Sequence, residues 1–165
     1  MDNGQWTMDN GQWTMDNGQW TKSGVDMMKD AMGGYRGTAR EISRILVDHP
    51  ENADAWYNRG NDRASCGDFD GAVSDYNVAL RLGLRFREAV NAYGNRGMAR
   101  VETGDLDGAL EDFSEIIARK PKNLWMLRSA YLNRALQREK KGDSAGALDD
   151  RGLALLLLPN TKTTI

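Results

Sequence analysis

Cysteine, proline and histidine are all scarce in this chain of 165 residues, which holds one Cys, three Pro and one His. The lone Cys66 excludes an internal disulfide, so the fold must rest on packing, as suits a reducing compartment. No second His or Cys stands near His49 at metal-ligand spacing, and at the end of a predicted helix its basic group meets the negative end of the helix dipole. Neither a metal site nor an imidazole base is expected. No apolar run approaches the roughly 18 residues of a membrane span, and no charged-then-apolar leader precedes the body, so the expected location is the cytoplasm. Charge of one sign is lacking as well. The net charge is −2, and because the first 21 residues hold three Asp and no base, the remainder carries 22 basic against 21 acidic side chains. Such a balanced body offers no electrostatic grip on nucleic acid or on an anionic membrane.

What the chain does have is internal repetition. Asn58-Arg59-Gly60 leads to Gly67-Asp68, Asn95-Arg96-Gly97 to Gly104-Asp105, and Asn133-Arg134-Ala135 to Gly142-Asp143, and an alanine follows each Asp at one distance (Ala72, Ala109, Ala147). A period of 37 and then 38 residues marks a stack of repeated units. Each glycine is placed to end a first helix in the left-handed conformation, and each Asp to cap the free N–H groups of a second. The small residues Gly60, Gly97 and Ala135 face Ala72, Ala109 and Ala147 across the turn, which makes each unit an αα-hairpin. Pro50, Pro121 and Pro159 lie at one common offset beyond Gly33, Gly104 and Gly142 and stop the second helices. The same offset from Gly67 falls on Leu84, so one unit lacks its stop.

These residues resemble the tetratricopeptide repeat, whose pattern asks for an aromatic, a small residue, the turn, an alanine, a second aromatic and a terminal proline. Trp56, Gly60, Gly67, Ala72, Tyr76 and Ala79 fit it in one unit, and Tyr93, Gly97, Gly104, Ala109, Phe113 and Pro121 in the next. The third unit keeps Tyr131, Gly142, Ala147, Ala154 and Pro159 but has Arg151 where the second aromatic belongs. The family's unit is roughly 34 residues long, so the excess is placed as an added turn opening the next first helix, around Arg85 to Ala89 and Leu124 to Leu127. Upstream, Gly33-Gly34-Tyr35 through Ile42, Ile45 and Pro50 looks like the second half of one more unit, with a degenerate first helix near Val25 to Met32. The resemblance implies an all-α fold, an αα-hairpin solenoid wound as a right-handed superhelix, with three full repeats and one degenerate N-terminal repeat. The domain spans residues 24–160 and residues 161–165 form a short tail. At 40% hydrophobic content the chain holds enough apolar residues for one such core.

Residues 1–23 stand apart. Met-Asp-Asn-Gly-Gln-Trp-Thr occurs three times unchanged, starting at residues 1, 8 and 15. Tandem duplication of a short coding segment accounts for such copies, and the Asn-Gly signal in each disfavours a helix that would align Trp6, Trp13 and Trp20. A mobile tail is expected, with Trp and Met side chains able to dock into an open groove.

No catalytic constellation is visible. The carboxylate pairs Asp68/Asp70 and Asp105/Asp107 recur in phase at the turns, as helix caps do, whereas catalysis needs a single constellation. Gly33-Gly34 follows a helix and lacks the strand of a phosphate loop. No catalytic residue, cofactor or metal is therefore expected. A charged column also repeats: Arg59, Arg96 and Arg134 each precede Asp75, Asp112 and Asp150 by one fixed offset, which suggests an ion-pair ladder. The alternative is a clamp for an acidic ligand, joined by Arg63, Arg100 and Arg138.

By the resemblance, the first helices line a concave groove faced by Tyr57, Asn58, Asn61, Asn95, Met98, Val101, Leu132, Asn133 and Leu136. The Asn column is suited either to an extended peptide backbone or to pairing between neighbouring helices. The family's carboxylate clamp is departed from, because Tyr57 and Ser129 stand where it has lysines and Asn133 where it has arginine. That argues against acidic chaperone tails. The expected function is a non-enzymatic adaptor for a protein or peptide partner; the alternatives are a self-assembling structural subunit or a secretion-type chaperone. The run Leu155 to Leu158 before Pro159 cannot all face inward, so Leu156 and Leu158 are expected at an interface, either with a second copy in a homodimer or with a partner protein.

Overall fold

The computed structural model describes residues 8–9, 12–13 and 38–158. Helices dominate these residues: α1 Ala39–Asp48, α2 Ala53–Ser65, α3 Phe69–Leu82, α4 Phe86–Thr103, α5 Leu106–Arg119, α6 Leu124–Lys140 and α7 Ser144–Leu156. The exception is a two-residue antiparallel ladder, β1 Met8–Asp9 with β2 Gln12–Trp13, flanking Asn10-Gly11. Residues 1–23, expected to form a mobile tail, lie outside the described residues apart from these two dipeptides. So do the stretches where a degenerate helix near Val25 to Met32, a stop at Pro159 and a tail at 161–165 are expected.

Each helix pair is closed by the expected turn. Gly67, Gly104 and Gly142 take positive φ near 82–83°, a conformation that costs glycine nothing. The next residue, Asp68, Asp105 or Asp143, accepts a hydrogen bond from the backbone N–H of Gly71, Gly108 or Gly146 at 2.9–3.0 Å. A second column of glycine is fixed by this cap, because a Cβ on Gly71, Gly108 or Gly146 would strike the capping carboxylate. The unit without a proline stops at Gly83, whose φ of 96° closes α3 one residue before Leu84. At Pro121, Lys120 at φ 46° turns the chain into the proline, whereas His49 before Pro50 keeps φ at −132°. The surplus residues lie where expected: α4 and α6 have 18 and 17 residues against 13 in α2.

The units stack so that α2 and α3, α4 and α5, and α6 and α7 pair within units while α3 meets α4 and α5 meets α6 between them. Three apolar clusters follow this order. Ile42, Ile45 and Leu46 of α1 enclose Ala55; Ala72 and Tyr76 meet Ala99; Val90, Ala109, Phe113 and Ile116 meet Ala130. Gly60 and Gly97 let the rings of Tyr76 and Phe113 approach, since a Cβ there would lie 2.8–2.9 Å from ring carbons. In the third unit Arg151 replaces that ring and pairs on the surface with Glu139, and Ala135 stands in the glycine's place. This unit also buries polar atoms without partners, Gln137 Oε1 and Arg128 Nε, at the registers of Ala99 and Val90. Its interior is the least apolar of the three.

Between each pair of helices lies one buried carboxylate. Asp75 takes Arg59 at 2.7 Å and Arg63 at 3.1 Å; Asp112 takes Arg96 at 2.5 Å and Arg100 at 2.9 Å; Asp150 takes Arg134 at 2.6 Å and Arg138 at 2.9 Å. The first arginine of each pair lies against an aromatic of its own helix, Trp56, Tyr93 or Tyr131. It also reaches back to the preceding unit: Arg59 donates to Ser43 Oγ, Arg96 to Asn77 Oδ1 and Arg134 to Ser114 Oγ, at 2.6–3.0 Å. The ladder is thus internal to each unit and tied to its neighbour. Burial pushes the Asp112 carboxyl above the ordinary carboxylate value, against the hydrogen bonds and charges of Arg96 and Arg100. Hydrogen bonding to Asp150 raises Arg134. Ion pairs so buried add little net stability, yet they cannot be broken cheaply.

Two outcomes are expected. Asp112→Ala leaves two guanidinium groups facing an empty site, and chemical denaturation should show a loss of about 3–5 kcal/mol. Tyr57 and Tyr76 are both pushed above the usual phenol range, chiefly by burial. A phenol whose folded pKa is raised stabilises the fold fully below the unfolded value of about 10. That stability is lost as pH rises beyond it. Ultraviolet titration of tyrosinate should show late ionisation at these positions, and a denaturation series should show stability falling as pH climbs past that value.

Candidate functional site

Successive first helices do not close against each other, and the gaps form two clefts. The first, between α2 and α4 over α3, has a volume of about 410 Å³ and is lined by Asn61, Ala64, Phe69, Tyr76, Asn95, Met98, Ala99 and Glu102. The second, of about 250 Å³, lies between α4 and α6 and is walled by Asn91, Asn95, Met98, Ile116, Trp125, Met126, Ser129 and Asn133 among others. Asn95 and Met98 stand on the ridge common to both. Glu102 is the one charged residue among these linings.

The polar part of the first cleft is a network of amide and phenol groups. Asn61 Oδ1 accepts from Tyr76 Oη and from Asn95 Nδ2, each at 2.8 Å. The Tyr57 ring lies 6.0 Å from that of Tyr76. Hydrogen bonding to Asn61 and Asn95 restrains the rise in the Tyr57 pKa that burial causes, while Glu88 adds to it. The Asn column therefore does pair between neighbouring helices at Asn61 and Asn95, and the same two amides edge the cleft.

Of the residues read from the sequence as groove-facing, Asn61, Asn95, Met98 and Asn133 line the clefts. Tyr57 packs against the Ala72–Tyr76–Ala99 cluster and Val101 against that around Phe113. Asn58 lines neither cleft. Leu132 and Leu136, both exposed, hold the registers of Gly94 and Met98 and carry the same face on beyond the second cleft. Leu156 and Leu158 are exposed near the end of α7, at the registers of Ala118 and Lys120.

Trp125 is the residue that sequence reasoning passed over. It is 71% exposed and sits in the added turn of α6, which lengthens the helix past the normal start of the unit and lifts the indole over the rim of the second cleft. The length surplus was visible in the repeat spacing, and a tryptophan inside it was the available signal. The arginines, by contrast, are withdrawn from the surface: Arg59, Arg96 and Arg134 are spent on buried Asp residues and take no part in either lining.

Comparison with known proteins agrees with this architecture. The sequence pattern described as tetratricopeptide repeat matches residues 30–83 and 59–123, together more than half of the chain. A crystal structure of MamA has a TM-score of 0.64 at 23% identity, covering 72% of this chain and 66% of that one. A second MamA structure gives the same score and identity, with 61% of its length covered. The TPR domain of Arabidopsis OM64 has a TM-score of 0.56 at 27% identity, over 68% of this chain and 87% of that one. The chain thus spans about two thirds of the MamA structures, and the likeness to them is one of fold. No curated protein sequence matches it. With the repeat pattern in phase, glycine turns and Asp caps at each hairpin, and the sequence match over residues 30–123, the chain belongs to the tetratricopeptide repeat family.

Proposed function

We propose that the protein is a non-enzymatic adaptor that holds an apolar segment of a protein partner in the two clefts between its first helices. The observation that carries this reading is the chemistry of the linings, which combine Met98, Trp125, Met126 and Phe69 with the amides of Asn61, Asn95 and Asn133. Methionine and tryptophan supply adaptable apolar area, and amides can meet an extended backbone on both its donor and its acceptor side. The acidic-ligand alternative loses its donors, because the arginines that would form the clamp already hold Asp75, Asp112 and Asp150. The carboxylates that repeat in phase are likewise taken up, Asp68, Asp105 and Asp143 as caps and Asp75, Asp112 and Asp150 as ion-pair partners. The exposed thiol of Cys66 suits the reducing cytoplasm. No helix among the described residues is long and apolar enough to cross a membrane.

An array of short random peptides tests the reading. Bound sequences should be enriched in apolar side chains, and their affinity should change little between low and high salt. Met98→Glu combined with Trp125→Ala should weaken binding by tenfold or more, as expected of a large aromatic contact worth about 2 kcal/mol, with thermal stability nearly unchanged. Enrichment of acidic peptides with a steep fall in binding at high salt would overturn it.

A further inference from the structure

We propose that two copies of the chain pair through the outer faces of their α7 helices, antiparallel, about a two-fold axis at Gly152. The repeat register identifies this face as one that the fold covers elsewhere. Val73 and Leu80 of α3, and Leu110 and Ile117 of α5, are half-buried, and Val73 and Ile117 pack against the clusters that Ala99 and Ala130 of the next first helices complete. The residues of α7 at those registers are Leu148 and Leu155, and they are 69% and 63% exposed. Leu156, one position on, is 81% exposed, where the earlier units place Arg81 and Ala118.

The same register says what does not fit there. A continuing unit of this kind would bring an arginine equivalent to Arg59, Arg96 or Arg134, whose hook on the preceding helix is Ser43, Asn77 or Ser114. In α7 that position is Gly152, which has no side chain to receive it. Nor does the chain's own packing require this glycine, since a Cβ placed on it would meet nothing within 4 Å. Glycine in a helix interior weakens the helix, and close approach of another helix is a physical reason for its presence.

A second copy satisfies both conditions. At 100° per residue Gly152 lies at the centre of the outward face, with Leu148 and Leu155 along one side and Leu156 and the exposed Asp149 along the other. Rotating a second α7 by a two-fold axis at Gly152 sets glycine against glycine. It sets Leu148 of each copy against Leu156 of the other, with Leu155 beside the rim carboxylate Asp149. The patch is self-complementary, as an isologous interface demands, and it closes at a dimer. It leaves both clefts open, so the pairing stands or falls independently of the adaptor reading.

Light scattering of the full chain over a range of concentrations should show the mass doubling, and Leu148→Asp with Leu155→Asp should hold it at the monomer mass without loss of helical circular dichroism. On a Cys66→Ser background, Leu148→Cys and Leu156→Cys chains mixed before mild oxidation should form a disulfide-linked dimer, while either alone should stay largely unlinked. A monomer at every concentration overturns the proposal, whether or not the chain's own tail covers the leucines. Efficient linking of Leu156→Cys chains to themselves also overturns it, because a two-fold axis at Gly152 holds those positions roughly 12 Å apart along the helices.

Discussion

A carboxylate cannot be taken out of water alone, and this stack buries one in every full unit. Asp75, Asp112 and Asp150 each lie between the two helices of a hairpin, and each is gripped by two arginines spaced one turn apart on the first helix. The helices must meet in a single rotational setting for that grip to close. The aromatic under the first arginine and the small residue beside it then fall into place, as does the ring of Tyr76 or Phe113 against its glycine. Because the same arginine also reaches Ser43, Asn77 or Ser114 of the unit before, the setting passes from one hairpin to the next. Burial raises the Asp112 carboxyl against the pull of Arg96 and Arg100, as the desolvation of a buried pair requires.

This arrangement divides labour between two kinds of side chain. Charged groups hold the stack from within, and the groups left on the open edge of the first helices are mainly amides, methionines, leucines and aromatics, with Glu102 the charged member of the cleft linings. The Asn61–Asn95 hydrogen bond shows how close the two roles come, since it braces neighbouring helices with the same side chains that border the first cleft. The third unit departs from the others in a consistent way. Arg151, Arg128 and Gln137 replace the ring, the valine and the alanine of its neighbour, and its outer helix turns four leucines and a glycine toward solvent or toward another surface.

Most of the fold was legible in the sequence because it depends on local backbone chemistry repeated in phase. A turn at φ near 82° needs Gly67, Gly104 and Gly142, and the orphan N–H groups of the next helix need Asp68, Asp105 and Asp143. The constant offset between Arg and Asp likewise reflects two rigid helices joined by a fixed turn. What escaped notice depends on contacts between units, whose spacing the added turn makes irregular. The hooks on Ser43, Asn77 and Ser114 lie at different sequence distances from their arginines, so no period exposes them. Gly83 replaced an expected proline through its own positive φ. At the site, Asn61, Asn95, Met98 and Asn133 were readable from the repeat register. Tyr57 and Val101 also pack against ring clusters, whose extent a helix face read by register does not show.

The central claim is that one arginine per unit ties its own hairpin to the hairpin before it. Native-state amide hydrogen exchange on the Arg96→Ala chain tests this most directly. Protection should fall together in α4 and α5, which share Asp112, and in α3, which supplies Asn77, with α1 changed least. Loss confined to α4 and α5, with α3 as protected as before, would contradict it.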